Sequence, residues 1–136
     1  WRHLINYRCG TGHSVSFVGN VHEGPHALNG RNTVVFQPGM IVTDEPGVYE
    51  GGQVGIRIEN ELMCVHKADN QYGTFLGFEP IMFVPIATSP VVPGVLTRDE
   101  LDWLNAYHRE VFTKLAPRLT EDERDWLAKK CAAIGA

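Results

Sequence analysis

The chain has 136 residues, 43% of them hydrophobic, with 12 basic and 16 acidic side chains and a formal net charge of −4. That is enough for one domain or a large part of one, with enough apolar residue for a real core. The mild acidity argues against a nucleic-acid partner, which calls for a basic surface, and no apolar run approaches the ~20 residues of a membrane-spanning helix. Cys9, Cys64 and Cys131 share no repeated spacing. An odd, scattered set suits reduced thiols inside a cell and so a cytoplasmic protein, rather than a disulfide framework. There is no signal-peptide pattern. A chain that opens on Trp1 rather than Met is expected to be a processed, cloned or fragmentary piece.

In chain order, Trp1–Tyr7 reads as the tail of an earlier element. Tyr7–Phe17, YRCGTGHSVSF, is broken by Gly10 and Gly12, and from His13 the pattern puts His13, Val15 and Phe17 on one face of a strand. Asn20–Pro25, NVHEGP, is a short extended piece ended by a Gly-Pro turn. Ala27–Pro38 holds the turn signal LNGRN and then TVVF, a short strand or a loop edge. The stretch Gly39–Glu61 reads as two strands joined by Gly-rich chain: Met40–Val42 leads into Asp44, Glu45 and a Pro-Gly turn, and Ile56–Glu59 alternates. The alternation runs on through Val65, which predicts one long strand over Ile56–His66. Lys67–Thr74 reads as a turn or exposed loop, and Phe75–Pro85 as another strand that Pro80 bends or confines to an edge.

After the Pro/Ser/Val-rich connector Ala87–Gly94 the period becomes helical. Leu101, Trp103, Leu104, Tyr107, His108, Val111, Phe112 and Leu115 follow a capping box made by Thr97 and Glu100, and Pro117 stops the helix. Thr120 and Glu123 form the box of a second helix with the stripe Trp126, Leu127, Cys131 and Ile134, ended by Gly135.

The chemistry begins with Glu45 and Glu59. Antiparallel pairing would set these two carboxylates side by side, where they repel unless one or two divalent cations lie between them. The alternative is that both face water at strand ends. Of the histidines, His3, His66 and His108 lack chemical context, and His26 follows a turn and suits either role. His13 follows a Gly-Thr-Gly that packing does not require, and His22 sits between Val21 and Glu23. Imidazole with carboxylate suits zinc, manganese, iron or cobalt rather than an all-oxygen calcium cage. No HExxH or paired CxxC is present.

The segments GTGH (Gly10–His13), NVHEGP (Asn20–Pro25), GMIVTDEPGVYE (Gly39–Glu50) and GIRIENE (Gly55–Glu61) together resemble the aminopeptidase P (Xaa-Pro aminopeptidase) family of pita-bread metallopeptidases. Gly77–Ile81 is similar to that family's FGFEPI, and LTRDELDWLNAYH resembles the C-terminal extension of its cytosolic eukaryotic branch. The resemblance covers roughly residues 1–115. It implies an α+β chain, the C-terminal half of a pita-bread fold, with an antiparallel sheet over residues 1–95 and a helical extension over residues 96–136.

It also implies that His13, Glu45 and Glu59 are metal ligands. Two further aspartates would lie upstream, and a complete active site would hold two Mn2+, with Zn2+ or Co2+ as alternatives. Asp44 is not assigned, because it points to the opposite strand face. Glu45 matches the general base, His22 the imidazole that holds and stabilises substrate, and Arg57 the anchor for the carboxylates. Cys9 stands where the family has a substrate-binding histidine, and Ser14 where glycine is customary. The implied parent removes the N-terminal residue that precedes proline. Its partners would be peptides with proline second, the missing N-terminal part of the same protein and a homodimer mate, with no nucleic acid and no membrane. This chain alone would be inactive. The alternative is a non-catalytic pita-bread member that binds peptides or proteins.

Overall fold

The computed structural model describes residues 4–135; Trp1–His3, and with them the start of the expected first element and His3, lie outside the described residues. The chain forms two compact units, dividing between Met82 and Phe83.

The first unit carries five strands: β1 (Ile41–Asp44), β2 (Gly47–Glu50), β3 (Val54–Arg57), β4 (Asn60–Asn70) and β5 (Gly73–Pro80). Strands β1, β4 and β5 form an antiparallel sheet in the order β1-β4-β5, and β2 with β3 forms a separate hairpin. The expected single strand over Ile56–His66 is therefore two strands in two sheets. Ile56 belongs to β3 and pairs with Val48, whereas Leu62 belongs to β4 and pairs with Val42. The alternation survives the break at Ile58–Glu59 because both pieces keep one antiparallel register along the same partner segment, Ile41–Glu50; only the ladder is interrupted there, opposite Glu45 and Pro46, and Pro46 has no N–H to give.

The expected loop over Lys67–Thr74 is also corrected. Strand β4 continues to Asn70, which pairs with Gly73 across a two-residue turn at Gln71 and Tyr72. Polar side chains are at home there because they pair with one another: Lys67 with Glu79 at 2.7 Å, and Asp69 with Thr74 at 2.7 Å and His66 at 2.8 Å. Pro80, with no N–H to donate, ends β5. The TVVF segment is not a strand. It is loop, shaped by Asn29 and Asn32 side chains that accept from the backbone N–H two residues on, at Arg31 and Val34.

The second unit is an α-hairpin of α1 (Arg98–Leu115) and α2 (Glu121–Lys130). Both predicted capping boxes are present. The backbone and hydroxyl bonds from Thr97 and Thr120 hold the Glu100 and Glu123 carboxyls below the usual carboxylate range. Tyr107, Val111 and Leu127 form the core, with Phe83, Ile86, Phe112, Leu115, Leu119 and Cys131 against it. The segment from Phe83 is part of this packing. The Tyr107 hydroxyl donates to the Val84 carbonyl at 2.9 Å, and the Ile86 N–H donates to His108 Nε2 at 3.1 Å. The second compact unit thus includes the segment from Phe83 together with the helices.

Helix α2 ends at Lys130, before Ile134 and Gly135. Beyond it, Asn105 grips Ile134 through both its amide atoms, at 3.1 and 3.0 Å. Of the predicted α2 stripe only Leu127 is buried, while Trp126 is exposed. No helix of the described residues is long and apolar enough to cross a membrane.

Candidate metal centre

The segment Thr11–Ser14 lies along β1 without forming the strand expected to run on to Phe17. The Thr43 N–H donates to the His13 carbonyl at 2.9 Å and the Glu45 N–H to the Thr11 carbonyl at 2.6 Å; the His13 N–H donates to Thr43 Oγ1 at 3.0 Å. On the other flank the Leu28 N–H donates to the Gly12 carbonyl at 3.0 Å and the Ser14 N–H to the His26 carbonyl at 3.1 Å. Gly12 makes the approach to β1 possible, since a Cβ there would stand 1.8 Å from the Thr43 carbonyl oxygen.

After Ser14 the chain doubles back in an irregular hairpin. The Ser16 N–H donates to the Asn20 carbonyl at 3.3 Å and the Glu23 N–H to the Ser14 carbonyl at 3.1 Å. His13 and His22 each precede a residue of that closing pair, so their rings come together with centroids 3.9 Å apart.

Glu45 completes the cluster from the end of β1. Its Oε1 lies 3.0 Å from His13 Nε2 and accepts from Thr43 Oγ1 at 3.0 Å, while Oε2 accepts from Arg57 Nη1 at 2.9 Å. Arg57 Nη1 also donates to the Glu45 carbonyl, so one guanidinium nitrogen fixes both ends of the residue. Arg57 is fixed in turn by Tyr49, whose hydroxyl accepts from Nε at 2.8 Å and is the main cause that holds the guanidinium's pKa above its ordinary value. The Tyr49 ring fits there because Gly47 and Gly55 carry no side chain: a Cβ on either would come within 2.8 Å of it.

His13, His22 and Glu45 each offer one donor atom within 4.8 Å of the others. His13 Nδ1 lies 2.9 Å from the Ser14 carbonyl, which can only accept, so the proton sits on Nδ1. In the neutral ring Nε2 then turns a lone pair toward a carboxylate oxygen. Two acceptors at hydrogen-bond distance with no proton between them are stable only with a cation at hand, either a second ring proton or a metal ion. Imidazole and carboxylate donors of this kind suit a divalent transition metal. The residues fit such an ion.

The other expected residues are placed as follows. Glu59 is exposed, at the break between β3 and β4, and is not in the donor cluster. One step past the last β1–β4 pair, Asp44 with Asn60, the same register sets Glu45 opposite Glu59. Asp44 is half-buried on the alternate face of β1, and burial pushes its pKa up. Cys9 is a half-buried free thiol, near enough to Arg57 for its charge to be felt there. His22 was expected to hold substrate rather than metal, yet in this geometry it stands closer to His13 and Glu45 than Glu59 does. Thr43 and Tyr49 were not singled out from sequence. Thr43 lies two residues before Glu45 on the same strand face, a spacing that carries the signal; Tyr49 shows only through its cross-strand neighbour, Gly55.

Residues 1–66 match the model of metallopeptidase family M24, and residues 74–134 match that of the C-terminal region of peptidase M24. The chain belongs to family M24. It is 42% identical to a probable Xaa-Pro aminopeptidase P of Coprinopsis cinerea over 98% of this chain and 23% of that protein. It is 46% identical to aminopeptidase P2 of Arabidopsis thaliana over 93% of this chain and 19% of that protein. The chain thus spans about a fifth of the length of the curated relatives it matches. A solved X-prolyl aminopeptidase of Caenorhabditis elegans, described as a cytosolic enzyme with a di-nuclear active site, superposes with a TM-score of 0.85 at 38% identity; the match covers 98% of this chain and 23% of that one. The fold is that of the C-terminal half of the pita-bread domain.

Proposed function

We propose that this chain is the C-terminal part of the catalytic domain of a dinuclear-metal Xaa-Pro aminopeptidase, which removes the residue ahead of a proline in second position. The observation that carries the reading is the convergence of His13, His22 and Glu45 on one point, with Glu45 clamped by Thr43 and Arg57. His13, Glu45 and Glu59 would hold the metals, with manganese as the first choice and zinc or cobalt as alternatives; two further carboxylates would come from outside this chain. Bound there, the cations supply polarisation of the scissile carbonyl and acidification of the attacking water.

The chain's own groups do the rest. Glu45 receives the proton of the attacking water and passes it to the departing amine, and Arg57 and Thr43 keep its carboxylate turned inward while it does so. His22, exposed beside His13, donates to a substrate carbonyl. Cys9 lines the substrate side. A cytoplasmic location agrees with three free cysteines. A homodimer formed through the helical unit would cover exposed Trp103 and Trp126. A second reading, a pita-bread member that binds peptides without turnover, is favoured only by the thiol of Cys9 where an imidazole would handle protons.

The deciding experiment is Glu45→Gln in the complete protein, with kcat/KM read on a proline-containing tripeptide in excess manganese. Activity should fall by about three orders of magnitude or more. Unchanged activity would sink the assignment of Glu45, and peptide binding without any wild-type turnover would select the second reading.

A further inference from the structure

We propose that His13, His22 and Glu45 of this chain form a mononuclear site for zinc, built without Glu59. The proposal rests on the reading above for His13 and Glu45 and departs from it in the third donor. That donor is an imidazole, from a residue that the reading gives to substrate, in place of a carboxylate.

The three groups already face one another. His13 Nε2 stands 3.0 Å from Glu45 Oε1, and the His13 and His22 ring centroids are 3.9 Å apart with 34° between the planes. One donor atom from each residue lies within 4.8 Å of the other two. Donors about 2.1 Å from a tetrahedral ion are about 3.4 Å from one another, so small side-chain rotations close this cluster on one. His22 is exposed, and its ring can turn without disturbing the core.

Two of the donors are also braced from behind, as metal ligands are. His13 Nδ1 is bonded to the Ser14 carbonyl at 2.9 Å, which leaves the Nε2 lone pair directed at Glu45. Thr43 Oγ1 and Arg57 Nη1 each hold one oxygen of the Glu45 carboxylate, at 3.0 and 2.9 Å. The third donor is placed by backbone: the Glu23 N–H donates to the Ser14 carbonyl at 3.1 Å and ties the residue after His22 to the residue after His13. Glu59 is exposed and lies outside the cluster.

The donor chemistry selects the ion. Two imidazoles and a carboxylate are a set that zinc accepts in catalytic sites, with the fourth position open. Manganese suits oxygen donors and binds a nitrogen-containing set more weakly than zinc does. In a complete active site Glu59 and two outside carboxylates would tilt the balance toward oxygen. The cluster of this chain offers two nitrogens to one oxygen.

The test is calorimetric titration of the 136-residue chain with zinc and with manganese. One zinc should bind per chain, about 100-fold or more tighter than manganese. His22→Ala should weaken zinc by about 100-fold and Glu59→Gln by no more than about twofold. In the NMR spectrum of the unaltered chain, the His13 and His22 imidazole signals should shift together as zinc is added. Zinc affinity kept in His22→Ala, or lost equally in Glu59→Gln, overturns the proposal. So does zinc that binds no tighter than manganese, a His22 signal that stays still at zinc saturation, or zinc retained when His13→Ala and Glu45→Gln are combined, which would put the ion on another pair such as His66 and Asp69.

Turnover by the complete protein tests the aminopeptidase reading and does not need His22 on a metal. Zinc held through His22 in this chain supports the proposal even if the complete protein cleaves no peptide. A chain that fails to take zinc this way overturns the proposal and leaves that reading untouched.

Discussion

In the helical unit Val111 and Leu127 are almost fully buried, at 0% and 1% exposure. In the sheet unit Val48, Val54, Ile56 and Phe75 lie 44–49% exposed, although all are strand residues. The first unit in chain order buries Val42 and Cys64 but relies mainly on backbone pairing and on polar clamps around Glu45; the second has an apolar core closed at each helix start by a capping box. Apolar burial is worth roughly 25 cal/mol per Å2, so the two units draw on different sources of stability and should respond differently to the same kind of change. A substitution that crowds the backbone should damage the sheet unit most, and one that empties a side-chain volume should damage the helical unit most.

Gly12→Ala breaks the comparison most severely. The new methyl would stand 1.8 Å from the Thr43 carbonyl oxygen, so Thr11–Ser14 must leave β1 and take His13 with it. The expected cost is about 3 kcal/mol of stability, and metal binding should be lost along with it. Denaturant unfolding and calorimetric manganese titration check both. Ordinary metal affinity in this variant would show that the backbone approach does not position His13.

Next in size is a matched pair of truncations. Leu127→Ala should cost about 3 kcal/mol because it empties a core, whereas Val54→Ala in this chain should stay within about 0.5 kcal/mol. In the complete protein the second cost should grow if other parts of the polypeptide cover the β2–β3 hairpin. Equal costs in the two units of this chain would remove the distinction between them.

The smallest effect is the pH dependence that His108 brings to the helical unit. Burial pushes the pKa of His108 down from its ordinary 6.5, and Nε2 is already occupied by the Ile86 N–H. The folded ring stays neutral, while the unfolded chain takes up a proton below about pH 6.5. The stability contributed is therefore complete above that pH and declines as pH falls through it, by at most about 1.4 kcal/mol per unit. Glu100 and Glu123, with lowered pKa values, act later, as pH falls below the ordinary carboxylate range. Unfolding curves between pH 7.5 and 5 should show the first decline, and His108→Gln should flatten it.

Both helix starts were legible because a capping box is a local device: Thr97 with Glu100 and Thr120 with Glu123 specify it within four residues. Strand β1 and the opposition of Glu45 to Glu59 were legible in the same way, from alternation and spacing. The break at Ile58–Glu59 was not, because it interrupts the ladder opposite Glu45 and Pro46 without shifting the register or the period. Nor was the meeting of His13 and His22, which depends on a turn with no repeating pattern and is fixed by the bonds of Glu23 and Asn20. The end of α2 was misread for a tertiary reason: Asn105 on α1 captures Ile134 and ends the helical path before Gly135.

The ring of Tyr49 lies over two glycines and reaches the guanidinium that steers Glu45. Positions 47, 49 and 55 are therefore coupled in space. A side chain gained at Gly47 or Gly55 evicts the ring, Arg57 loses its hydroxyl partner, and the Glu45 carboxylate turns without any site residue having changed. Such a lesion would lie outside the donor cluster and act on it through Tyr49 and Arg57.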